Sequence, residues 1–161
     1  MHSVVGNLNE TYEASPRSVA DGRAKLADFA ANAGATPKQI DAVRLAASEA
    51  MTNSVLHAYR GGPGVIYVNA AVASEELWIL IADDGCGLKP RTDRSGLGLG
   101  LGLISEVSDD FAIVSRATGG TEVRIRFHLV ASDAGEHEAA RDEHVTGGGR
   151  RPGFSPTMSV A

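Results

Sequence analysis

The sequence predicts an α+β fold, a two-layer sandwich with helices on one face of a mostly antiparallel sheet. Three observations predict it. Two capped helical segments follow one another early, between Ser15 and Tyr59. Four strand-like runs come after them in pairs, "VIYVNAAV" with "LWILIADD" and "FAIVSRA" with "TEVRIRFHLV". Helices and strands therefore fall in blocks instead of alternating, the pattern of helices segregated to one face of an antiparallel sheet.

Each element has a local reason. "LNETYEA" alternates as a first strand does. Ser15-Pro16 then supplies a cap with proline at the first helical position. Val19, Leu26, Phe29 and Ala30 give this helix an apolar stripe, which Asn32-Ala33-Gly34 closes. Thr36-Pro37-Lys38-Gln39 starts a second helix with a capping box. That helix is expected to run to about Tyr59, with Ile40, Val43, Ala47, Ala50, Met51 and Leu56 on or near one face. "RGGPG" ends it. The runs on either side of "ASEE" read as neighbouring antiparallel strands, and "LISEVSDD" as a short helix. "TGG" turns the last hairpin. Its second strand puts Val123, Ile125, Phe127 and Leu129 on one face and Glu122, Arg124, Arg126 and His128 on the other.

Composition bounds the function. A chain of 161 residues, 43% hydrophobic, is long enough for one domain with a real core. The domain is expected to span residues 1–130; the polar, glycine-rich and charged stretch 131–161 reads as a disordered tail. A net charge of −5 argues against direct nucleic-acid binding and against an anionic membrane surface. Cys86 is the single cysteine, so an intrachain disulfide and a cysteine zinc cluster are both excluded. No apolar run approaches the roughly 20 residues that span a bilayer. "MHSVVGNLNE" has no secretory pattern, and a cytoplasmic protein is expected.

Three stretches carry the chemistry. "SEAMTNSVLHAY" sets Glu49, Asn53 and His57 at i, i+4 and i+8, on one side of a regular helix. An asparagine oxygen suits Mg²⁺, and a carboxylate one turn away can orient or deprotonate a nucleophile. Alone, the spacing is more simply a solvated helix face. "ADDGCG" puts Asp83 and Asp84 at a strand end, before Gly85 and Gly87. A carboxylate there can accept from the exocyclic amine of adenine, although the stretch alone is also an ordinary Asp-Gly turn. "SGLGLGLGLI" holds Gly96, Gly98, Gly100 and Gly102. A linker would use serine and polar residues instead of leucine; a membrane segment is excluded by length and by Arg91, Asp93 and Arg94. A phosphate-binding turn leading into a helix fits best, because glycine exposes backbone N–H groups at a positive helix end. It is neither a Walker A nor a Rossmann fingerprint.

In chain order, "EAMTNSVLHAY", "DDGCG", "SGLGLGLGLI" and "GGTEVRI" resemble the N, G1, G2 and G3 boxes of the Bergerat-fold (GHKL) ATPases, which include gyrase, Hsp90 and histidine kinases. More narrowly, "SEAMTNSVLHAY" and "RSGLGLG" resemble the anti-sigma-factor serine/threonine kinases of bacterial partner switching. The resemblance covers roughly residues 8–129. It implies ATP and Mg²⁺, with Asn53 as the metal ligand bridging the triphosphate and Glu49 as the catalytic base. Asp83 would bond the adenine amine, Gly85 and Gly87 would shape the adenine pocket, and Thr121 would support the base through its hydroxyl. Gly96, Gly98 and Gly100 would wrap the phosphates, and Arg94 would contact the γ-phosphate. His57 is assigned no catalytic role.

The implied activity is phosphorylation of an anti-anti-sigma (STAS-like) antagonist together with binding of a sigma factor, in a homodimer. The alternative is a non-catalytic, ATP-dependent partner-binding module. A sensor histidine kinase is not expected, since no helical segment with a phosphoacceptor histidine precedes these boxes. The sequence departs from the sporulation-type kinases in two places. Only the eight residues Leu88–Ser95 separate the adenine and phosphate glycines, a shorter ATP lid, and Gly102 stands where relatives carry a larger residue.

Overall fold

The computed structural model describes residues 6–87 and 99–130. The predicted tail and most of the lid and phosphate glycines, with Arg94, Gly96 and Gly98 among them, lie outside the described residues.

The chain opens with β1 (Leu8–Glu13), α1 (Pro16–Asn32) and α2 (Pro37–Asn53). Both helix starts are where the caps put them. Ser15 Oγ accepts from the Ser18 amide at 3.2 Å. Thr36 Oγ1 accepts from the Gln39 amide at 3.3 Å while Gln39 Oε1 accepts from the Thr36 amide at 3.0 Å, the reciprocal capping box. Gly34, at φ +88°, takes the left-handed turn that ends α1.

After α2 come β2 (Val65–Ala73), β3 (Glu76–Asp83), α3 (Leu99–Val107), β4 (Asp110–Ser115) and β5 (Thr121–His128). The five strands form one sheet in the order β1-β2-β3-β5-β4, and every neighbouring pair is antiparallel. The β2–β3 hairpin closes on Ser74 and Glu75, both with positive φ, as a two-residue turn matching the strand twist requires.

Alternation decides which face is covered. Ile66, Val68 and Ala70 of β2, Leu77, Ile79 and Ile81 of β3, and Val123, Ile125 and Phe127 of β5 are buried in one cluster. Against them pack Leu26 and Ala30 of α1, Val43, Ala46, Ala47, Ala50 and Met51 of α2, and Leu101 and Ile104 of α3. Burying each large aliphatic side chain contributes roughly 1.5–3 kcal/mol. Gly22 lets α1 approach α2 closely, since a Cβ there would stand 2.6 Å from Met51 Sδ.

Two sequence expectations are corrected. The second helix does not continue regularly to Tyr59: at Ser54–Ala58 it widens into a π-turn, with the Tyr59 amide donating to Ser54 O at 3.3 Å. The wider turn advances less per residue, so the apolar face slips. Leu56, expected inside, is 56% exposed, and Val55 is buried in its place. The third helix starts at Leu99, so Gly100 and Gly102 lie within α3 and not in a turn ahead of it. Among the described residues no helix is long and apolar enough to cross a membrane.

Candidate functional site

Among the described residues, the C-terminal half of α2, the end of β3 and the residues after it, the first turn of α3 and the start of β5 supply the predicted site residues. α2 carries Glu49 and Asn53 one turn apart, both half-buried. The π-turn breaks the expected continuation to His57, which is exposed. Glu49 lies against the first turn of α3: a Cβ on Gly100 would collide with Glu49 Oε2. Gly100 thus lets the helix start reach the carboxylate from the first turn of α3, not from a turn ahead of it.

Asp83 ends β3 facing the helices and is buried. Its Oδ1 accepts from the Gly85 amide at 3.0 Å and the Thr121 amide at 3.3 Å. Its Oδ2 accepts from Ser54 Oγ at 3.0 Å. An ionised carboxylate has about four acceptor positions, so three donors leave it one more. That spare acceptor, oriented by the other three bonds, fits an amine such as the exocyclic group of adenine.

The predicted glycines have concrete neighbours. A Cβ on Gly85 would stand 2.5 Å from Ala58 Cβ and Ala58 O, so only glycine lets the strand end dock on the π-turn. The Cys86 amide completes that docking by donating to Ala58 O at 3.0 Å. Gly87 takes φ +70°, a backbone conformation that favours glycine, and a Cβ there would stand 3.6 Å from the Gly120 carbonyl oxygen. Thr121 is buried and meets Asp83 through its backbone amide. Asp83, Gly85, Gly87 and Thr121 are thus brought together, and Glu49 is brought to Gly100.

Sequence reasoning missed Ser54 and Ala58. Both sit in the π-turn, whose backbone the sequence does not announce. The only hint was a serine directly after Asn53, ahead of the apolar pair Val55-Leu56.

A resident metal centre is not built here: no group of three or more His, Cys, Asp or Glu able to hold a metal occurs among the described residues. Mg²⁺ needs less protein than that, since it keeps waters and shares phosphate oxygens with one or two protein ligands. The amide oxygen of Asn53 fits that requirement.

Residues 12–127 match the family described as the histidine kinase-like ATPase domain. The anti-sigma F factor of Halalkalibacterium halodurans is 28% identical over 141 residues, covering 79% of this chain and 95% of that relative. The anti-sigma F factor of Clostridium acetobutylicum is 30% identical over 112 residues, covering 63% of this chain and 78% of its own length. Among solved structures, the crystal structure of the RsbU and RsbW domains of a Mycobacterium tuberculosis protein aligns with a TM-score of 0.61 at 25% identity. That alignment covers 77% of this chain but 32% of the longer one.

Proposed function

The chain belongs to the histidine kinase-like ATPase domain family, and on that premise we propose an ATP- and Mg²⁺-dependent serine/threonine kinase of the anti-sigma type. It phosphorylates a STAS-like anti-anti-sigma antagonist and binds a sigma factor in the cytoplasm. Residues 1–130 form its nucleotide-binding unit.

The observation that carries this reading is the Asp83 carboxylate, buried and held by Ser54, Gly85 and Thr121 with one acceptor position to spare. Adenine's exocyclic amine fills that position. Asn53 would hold Mg²⁺ through its amide oxygen, and the ion would supply charge neutralisation to the triphosphate. Glu49 accepts the proton of the antagonist's hydroxyl as that oxygen bonds to the γ-phosphorus and the bridging P–O bond breaks, releasing ADP. Positioning and charge neutralisation carry most of such a transfer. The first turn of α3, resting on Glu49 through Gly100, ties the base to the helix that follows the phosphate glycines.

The test is radiolabelled phosphotransfer to a STAS-like domain, alongside calorimetric ATP binding, for wild type and Glu49→Ala. The expected result is retained nucleotide binding with transfer lost by about 100-fold or more, the usual contribution of a general base. ATP binding without transfer in wild type makes the chain a nucleotide-dependent binding module instead. Absence of ATP binding removes the nucleotide reading altogether.

A further inference from the structure

Strand alternation aims Asp83 at the helices and turns the next residue, Asp84, to the open face of the sheet. Asp84 Oδ2 accepts from the Tyr67 hydroxyl on β2 at 2.8 Å. Its Oδ1 is paired with the guanidinium of Arg116, just beyond the end of β4. The same Arg116 Nη1 donates to the main-chain carbonyl of Asp83 at 3.0 Å. The guanidinium also lies over the Tyr67 ring, 5.4 Å from its centroid.

The Asp84 amide is held from another side. It donates to the Tyr59 hydroxyl at 2.8 Å, and that hydroxyl donates to the Val65 carbonyl at 2.7 Å. Gly120, at φ +82°, closes the remaining approach, because a Cβ there would collide with the Asp83 carbonyl oxygen. The peptide joining Asp83 to Asp84 is therefore gripped at its N–H from the residue after the π-turn and at its carbonyl from the β4–β5 turn, while β2 holds the Asp84 carboxylate. None of these grips uses the Asp83 carboxylate itself.

We propose that Arg116, acting with Asp84 and Tyr67, is a positioning residue for the nucleotide site, fixing the direction of the Asp83 carboxylate from the opposite face of the sheet. The inference rests on Asp83 being the adenine acceptor. Its physical basis is that Asp83 Oδ1 bonds amides on two separate segments, Gly85 after β3 and Thr121 at the start of β5. Arg116 joins those same segments. Without it the β4–β5 turn and the β3 end can part, the Thr121 bond lengthens, and the carboxylate, left with only its local Gly85 bond and Ser54, loses its aim. A mis-aimed acceptor loses discrimination: a site built to pair with an amine rejects a purine carrying a carbonyl at that position only while its geometry holds.

The experiment compares calorimetric affinities for ATP and for inosine triphosphate in wild type, Arg116→Ala, Tyr67→Phe and Arg124→Ala. Amide hydrogen exchange at Gly85 and Thr121 is measured on the same proteins without nucleotide. Arg124 is the control, an outer-face arginine of β5 paired with Glu122. In Arg116→Ala the preference for ATP falls by about three- to tenfold, the weight of one hydrogen bond, and the Thr121 amide exchanges faster while the local Gly85 amide serves as the reference. Tyr67→Phe, which keeps the ring and removes the hydroxyl, shifts both readouts in the same direction; Arg124→Ala changes neither. A wild-type preference persisting in Arg116→Ala and Tyr67→Phe overturns the inference alone, whatever the exchange shows. Wild type that binds neither nucleotide overturns the functional reading and this inference with it.

Discussion

Replacing Asp83 by asparagine and, separately, by alanine separates what this carboxylate does for the fold from what it does for a ligand. Asp83 is 3% exposed, and its carboxylate receives the Gly85 amide, the Thr121 amide and the Ser54 hydroxyl. Asparagine keeps the shape, turns its carbonyl oxygen to the two amides, and lets Ser54 accept from its NH₂. Two charge-assisted bonds become neutral ones, a loss of about 1 kcal/mol each. The relief of a desolvated charge offsets part of this, so Asp83→Asn is expected to cost about 1–2 kcal/mol. Alanine leaves both amides without partners in a buried site, at about 1–3 kcal/mol apiece. The Ser54 hydroxyl falls back on Ala50 O, 3.4 Å away. The total for Asp83→Ala is about 2–6 kcal/mol. Urea unfolding followed by circular dichroism measures both values. ATP binding should be lost in both variants, because asparagine presents a donor to adenine's amine. Equal stabilities for the two variants would refute the argument, since the cost then would not come from orphaned donors.

Three further outcomes follow from packing and titration. Leu56→Ala is expected to change stability by less than about 0.5 kcal/mol, whereas Val55→Ala loses about 2 kcal/mol; a regular helix through Leu56 predicts the reverse order in the same denaturation assay. Gly22→Ala forces Met51 aside from a 2.6 Å approach and should cost about 1–3 kcal/mol, with most of that cost absent when Met51→Ala is added in a double-mutant cycle. The Tyr67 hydroxyl titrates above its ordinary value of 10.0, chiefly because it is hydrogen-bonded to Asp84. A raised folded value favours the protonated fold, so this stabilisation is complete below the unfolded value and is lost as pH rises through the folded one. Denaturant midpoints of wild type should therefore fall more steeply above about pH 10 than those of Tyr67→Phe; identical slopes would contradict the Asp84 bond.

The sequence by itself determined whatever depends on near neighbours in the chain. Ser15 with Pro16 and the Thr36–Gln39 box set the starts of α1 and α2, because capping bonds span three residues. Period-two burial set the inner face of β5, where Val123, Ile125 and Phe127 are buried as expected. The order of the motif stretches was legible in the same way, and the family match over residues 12–127 agrees with it. Only the tertiary structure decided the rest. The π-turn at Ser54–Ala58 has no local signature; within it, Ser54 bonds to Asp83 and Ala58 O receives the Cys86 amide. Turning the helix late moved Leu56 out and Val55 in, against the regular helical period. Gly100 proved to be the place where α3 rests on Glu49, and Gly120 the place where the β4–β5 turn meets Asp83. Arg116, an ordinary charged residue before a turn, became the tie across the back of the site. These contacts join residues about 30 or more positions apart, so their partners are fixed only once the sheet has assembled and its strands have brought them within bonding distance.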